Sequence, residues 1–159
     1  MGRRSLILII PRTAGRTKRI SAVAMAVLFL LLTAGTALAA DVRPDCTIDE
    51  GPCTRAVRSL TITLDLSPKP VKAMRELAFS VMVRDKSKPV TDASVTADLT
   101  MPDMVMGRNT VMLQNMGNGR YEGKGVIVRC PTGKKVWKAT VAVRRGGKTA
   151  KVPFLIEVH

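Results

Sequence analysis

Three methionines lie within six residues of one another in the second half of the sequence: Met101, Met104 and Met106. Thioether sulfur is a soft ligand that selects Cu(I) over hard cations. On an extended chain Met104 and Met106 project to the same side, because side-chain direction alternates with a period of two. Pro102 and Gly107 can bend the segment and bring Met101 toward them, so the spacing predicts a trigonal Cu(I) site. Further candidate ligands are Met112, Met116 and Cys130.

The same methionines have a second interpretation as core packing. Methionine fills irregular gaps in a core well, and a core-facing strand edge would also place Met104 and Met106 on one side. Thioethers that converge on a solvent-open rim favour a ligand role, and dispersed buried ones favour packing. The sequence therefore leaves two hypotheses, a soft-metal site and a metal-free interaction module.

Three cysteines are present, Cys46, Cys53 and Cys130, so one stays unpaired after a single disulfide. Cys46 and Cys53 can close a small loop, and Cys130 can instead pair with either of them. A structural disulfide is the favoured interpretation, with its partners left open, and the remaining thiol is free to join the methionines. No C-x-x-C motif is present, which argues against thioredoxin-like chemistry.

Catalytic patterns are weak. Nucleophilic triads and zinc sites of the His and Cys type need histidines, and the single histidine is His159, the last residue. Gly117, Gly119 and Gly123 precede a strand pattern rather than a helix, which indicates a hairpin and not a phosphate loop. We therefore expect a protein that is not an enzyme and has no catalytic residues.

The first 39 residues have the grammar of a signal peptide. Basic residues are followed by an apolar run from Ile20 to about Leu32, and Ala37-Leu38-Ala39 fits the cleavage rule. The alternative is an uncleaved membrane anchor, although the run is shorter than the roughly 20 residues that span a bilayer. The sequence predicts an exported, periplasmic protein.

Residues 40–56 contain two cysteines and little periodicity, so they are expected to be irregular. Residues 57–159 show short alternating segments with turn signals between them, and the buried face of the last but one carries Trp137, which we expect in the core. This pattern predicts an all-β fold, a seven-stranded immunoglobulin-like sandwich, with a small antiparallel barrel as the alternative. The predicted strands are 59–66, 77–83, 93–99, 110–114, 120–128, 136–143 and 150–158.

Charge narrows the range of partners. Beyond residue 39 the chain has 20 Lys and Arg against 12 Asp and Glu. Such a surface can meet an acidic envelope protein or, through weak electrostatics, an anionic membrane face. Aromatic residues make up 3% of the chain, so the stacking platforms that bind single-stranded nucleic acid are not expected.

Four stretches resemble the YtkA-like domain, which is related to the FixH family. They are Pro89–Val95, Leu99–Gly107 with its Met-Pro-x-Met-x-Met core, Gly119–Gly123 and Trp137–Val141. The resemblance covers about residues 58–158. It implies an exported immunoglobulin-like sandwich, and some relatives are linked to copper handling, cytochrome oxidase assembly or metal efflux. The cysteines are a departure from the plainer family pattern.

Overall fold

A computed structural model describes residues 42–102, 104–107 and 109–159. The predicted signal peptide, residues 1–39, lies outside this part of the chain. Over the described residues no helix is long and apolar enough to cross a membrane. The described residues from 42 to 159 form one compact unit.

The described residues contain nine strands. They are β1 (Cys53–Val57), β2 (Leu60–Ser67), β3 (Glu76–Asp85), β4 (Lys88–Pro89), β5 (Ser94–Thr100), β6 (Thr110–Gly117), β7 (Arg120–Val126), β8 (Val136–Arg145) and β9 (Lys148–Glu157). Neighbouring strands are antiparallel in the order β1-β2-β3-β7-β6-β5-β8-β9, and β4 pairs with β3. The all-β prediction is confirmed.

Strand β6 belongs to both layers of a sandwich. Its first half pairs with β5, as at Val111↔Ala97, and its second half pairs with β7, as at Gln114↔Glu122. One layer therefore contains β2, β3, β7 and the end of β6, and the other contains the start of β6, β5, β8 and β9. This is the A-B-E-D and C-F-G order of an immunoglobulin-like sandwich.

Two strands go beyond the seven that the sequence predicts. Strand β1 begins at Cys53, inside the segment 40–56 that was expected to be irregular, and pairs along the edge of β2. Its residues do not alternate between apolar and polar, so the period-two signal is missing. Strand β4 has two residues, which is too short to show any period.

The core lies between the two layers and is built from the alternate residues of each strand. The inward faces of β3 and β8 read Leu77, Phe79, Val81 and Val83, and Trp137, Ala139, Val141 and Val143. Trp137 is 1% exposed. Apart from the hydroxyl-bearing Tyr121, no residue with a polar or charged side chain is fully buried within the described residues, so the core depends mainly on apolar burial and packing.

The N-terminal segment covers the outer edge of β9. Cys46 forms a parallel bridge with Ile156, and the backbone N–H of Asp45 donates to the Leu155 carbonyl at 3.0 Å. Cys46 and Cys53 are joined in a disulfide with their Cα atoms 5.8 Å apart. The bond therefore ties the segment to β1 while its backbone covers an otherwise open sheet edge.

Candidate soft-metal site

The methionine loop connects β5 to β6 and is held at its base by both layers. The Leu99 N–H donates to the Asn109 carbonyl at 2.8 Å, which closes the loop. The Asn109 side chain donates to the Val126 carbonyl on β7 at 3.1 Å. Met101 and Met104 form an isolated antiparallel bridge around Pro102. The loop therefore returns on itself within a few residues.

The three methionines of the loop occupy different environments. Met101 is 3% exposed and belongs to the core. Met104 and Met106 are half-buried and pack against the core, whereas Val105 between them is fully exposed. Met104 and Met106 thus share one side of the chain, as the period-two argument predicts. Met101 packs inward and is more deeply buried than Met104 or Met106.

The thiol of Cys130 meets this loop. Its Sγ lies 3.7 Å from the Sδ of Met104. Cys130 is 4% exposed and takes no part in a disulfide. Cys130 lies in the loop between β7 and β8, and the backbone carbonyl of Cys130 accepts a hydrogen bond from the Gly133 N–H at 3.1 Å. A thioether and a thiol that are 26 residues apart in sequence are therefore in contact.

The surroundings of Cys130 favour its thiolate form. Its Sγ lies 3.0 Å from the Thr132 hydroxyl. That hydrogen bond is the main cause that lowers the pKa of Cys130, and the backbone N–H groups of Thr132 and Lys134 and the charge of Lys134 act in the same direction. Burial opposes them, because it penalises the charged form. Sequence reasoning missed Thr132, although a hydroxyl two residues after a cysteine in a turn is a recognisable signal.

The sulfur separation suits a shared metal ion. Bonds of about 2.3 Å from one metal to two sulfurs at tetrahedral to trigonal angles hold the sulfurs roughly 3.7–4.0 Å apart. The Sγ of Cys130 and the Sδ of Met104 are 3.7 Å apart, at the lower end of this range. Both are soft ligands, so the pair matches Cu(I) in ligand type and in spacing.

The other candidate ligands are elsewhere. Met112 and Met116 are 67% and 59% exposed and point outward from β6, on the opposite side from the buried Val111 and Leu113. They line a groove of about 590 Å³ on the outer face of β2, β3, β7 and β6. Cys46 and Cys53 are used in their disulfide. The structure therefore brings Cys130 to the loop and does not bring Met112 or Met116.

His159 is used in a structural contact. Its Nε2 lies 3.1 Å from Asp49 Oδ2, and the other oxygen of Asp49 accepts from the Val71 N–H at 2.7 Å. His159 and Asp49 line a second groove of about 410 Å³ between the N-terminal segment and the C-terminus. Among the described residues, no three His, Cys, Asp or Glu side chains are grouped to hold a metal.

Comparison with known proteins gives one family and one structural neighbour. The sequence model described as YtkA-like matches residues 54–129, which include the methionine loop and end one residue before Cys130. A solved structure of a DUF4785 family protein from Legionella pneumophila subsp. pneumophila str. Philadelphia 1 matches with 12% identity and a TM-score of 0.45. The match covers 64% of this chain and 29% of that one. No curated protein matches the sequence significantly.

Proposed function

We propose that this chain, which matches the YtkA-like family model over residues 54–129, binds Cu(I) outside the cytoplasm for metal handling. Cys130 and Met104 are the primary ligands, and Met106 supplies the third sulfur. The observation that carries the proposal is the 3.7 Å contact between Cys130 Sγ and Met104 Sδ. No catalytic step is part of this function.

Charge balance supports this ligand set. A thiolate and Cu(I) together are neutral, so the pair can be held in a buried place without an uncompensated charge. The lowered pKa of Cys130 makes its thiolate available at lower pH than that of an ordinary cysteine. Because a metal competes with the proton for the sulfur, binding releases a proton and weakens as the pH falls.

Met106 is the best third ligand because of where it lies. It shares the inward side of the extended run with Met104 and is only partly buried, so it can turn toward an ion at the Cys130 sulfur. Met101 is in the core, where rotating its thioether outward would open a cavity. Met101 is therefore not part of the proposed ligand set.

A competition experiment tests the proposal. The unit of residues 41–159 is titrated with Cu(I) under reducing conditions against a chromophoric chelator. One bound equivalent is expected, lost in Cys130→Ser and weakened in Met104→Leu and Met106→Leu. The double variant Met112→Leu, Met116→Leu is the matched control, because its thioethers lie on the outer groove. Undiminished binding in Cys130→Ser would overturn the proposal.

A metal-free interaction module is the second candidate, and the burial of Met101 favours it. Met101 is 3% exposed, and Met104 and Met106 contact the same core, as packing residues would. In this case the wild-type unit binds no Cu(I) equivalent, and Met104→Leu changes only the free energy of unfolding. Metal stoichiometry therefore separates the two candidates.

A further inference from the structure

Three tight turns lie together at the end of the sandwich opposite the methionine loop. They join β1 to β2 at Arg58-Ser59, β3 to β4 at Lys86-Ser87, and β8 to β9 at Gly146-Gly147. Each contains at least one residue with positive φ, as two-residue hairpin turns require. We call this end the hairpin surface; it consists of residues 58–59, 86–88 and 144–148.

Direct contacts hold the turns to one another. The Lys86 N–H donates to the Ser59 carbonyl at 3.2 Å, which joins the first turn to the second. Arg145 joins the third turn to the second, because its guanidinium lies 3.4 Å from Asp85 and 2.7 Å from Asp92. The three turns therefore form a single surface with fixed spacing.

Uncompensated positive charge covers this surface. Five exposed cations of the hairpin surface form no ion pair with any described residue: Arg58, Lys86, Lys88, Arg144 and Lys148. The nearby acids Asp85 and Asp92 are both engaged by Arg145. The cations therefore outnumber the acids and stay available to an external anion.

We propose that the hairpin surface binds the anionic headgroup face of a phospholipid bilayer. Protein interfaces usually need a buried apolar or aromatic centre. None of the exposed large hydrophobic residues of the described chain belongs to the residues of the hairpin surface; they are Met74, Val105, Met112, Met116, Val126 and Val128. Cations without apolar anchors suit electrostatic attraction to a charged lipid surface, to which each Lys or Arg adds about fivefold in affinity.

Binding through the hairpin surface would fix how the rest of the domain is oriented relative to the bilayer. Strands β5 and β6 meet the methionine loop at Thr100 and Thr110, the ends of these strands that are far from the hairpin surface. Docking by the three turns leaves the loop and Cys130 facing away from the bilayer. The candidate metal site would then be open to partners in solution. The membrane proposal does not depend on metal binding.

Vesicle co-sedimentation of residues 41–159 tests the proposal, because this unit contains every core residue of the described part of the chain and leaves out the apolar N-terminal run. The probes are vesicles of phosphatidylglycerol mixed with phosphatidylcholine and vesicles of phosphatidylcholine alone. Binding is expected only to the anionic vesicles, and it should weaken with added salt. The variant Lys86→Gln, Lys88→Gln, Lys148→Gln is expected to lose roughly 100-fold in affinity.

A matched variant separates this surface from net charge. Lys72→Gln, Lys135→Gln, Lys151→Gln removes the same charge from exposed lysines elsewhere and is expected to change affinity by less than about fivefold. Equal losses in both variants, equal binding to both vesicle types, or no binding by the wild type would each overturn the proposal. If the wild type binds polyglutamate but not the vesicles, and the Lys86, Lys88 and Lys148 variant loses the polyglutamate binding, the hairpin surface binds an acidic protein instead.

Discussion

The hydroxyl of Tyr121 donates a hydrogen bond of 3.0 Å to the carbonyl of Val90 and is fully buried. The same oxygen accepts from the Ala93 N–H at 3.3 Å. Tyr121 lies on β7, whereas Val90 and Ala93 belong to the connection between β4 and β5. One phenol therefore fixes the chain where it crosses from one layer of the sandwich to the other.

Tyr121→Phe is expected to lower the free energy of unfolding by about 1–3 kcal/mol, because it leaves the buried Val90 carbonyl without its partner. Urea denaturation followed by Trp137 fluorescence measures the change. Thr54→Val is the control, since the hydroxyl pair of Thr54 and Thr63 is exposed and its loss should cost under about 0.5 kcal/mol. Equal effects in the two variants would contradict a special role for Tyr121.

Most of the strands follow from the sequence because burial on one face imposes a period of two. All seven predicted strands occur with bounds within three residues of those observed. Strand β1 could not be found in this way, since its inward face carries Arg55, whose guanidinium lies 5.6 Å from the centre of the Phe154 ring. A cation over an aromatic ring replaces the apolar contact that the pattern requires.

Only part of the candidate metal site could be predicted from the sequence. That Met104 and Met106 share a side is local geometry and follows from their spacing. The approach of Cys130 depends on the fold, which sets the loop between β7 and β8 against the loop between β5 and β6. No spacing in the sequence encodes a contact between residues 26 positions apart.

Thr132→Val is expected to raise the pKa of the Cys130 thiol, because the hydroxyl is the main group that stabilises its thiolate. The measurement is the ultraviolet absorbance of the thiolate during a pH titration of residues 41–159. The midpoint should move to higher pH in the variant, and Cys130→Ser should abolish the signal, which assigns it. A midpoint that stays in place would remove Thr132 from the account of Cys130 reactivity.

Gly125→Ala is expected to destabilise the domain by about 1–3 kcal/mol through overpacking. A Cβ at this position would collide with the Val111 side chain on β6 and lie 3.2 Å from Phe79 Cε2. The glycine thus permits β6 to pass close to β7 as it changes layers. Thermal unfolding measures the loss, and Gly51→Ala is the control because nothing lies within 4 Å of its added Cβ.

Ser87→Gly is expected to stabilise the domain, because Ser87 has a φ of 72° in the turn between β3 and β4. A left-handed conformation destabilises a residue that has a side chain by about 1–2 kcal/mol, and glycine removes this cost. Part of the benefit is lost, because glycine also has more conformational freedom in the unfolded chain. A net increase of about 0.5–1 kcal/mol in the free energy of unfolding should appear in urea denaturation. Ser59→Gly, in the neighbouring turn but without positive φ, should instead lower it. If both substitutions destabilise the domain equally, the positive φ of Ser87 does not lower the stability of the wild type.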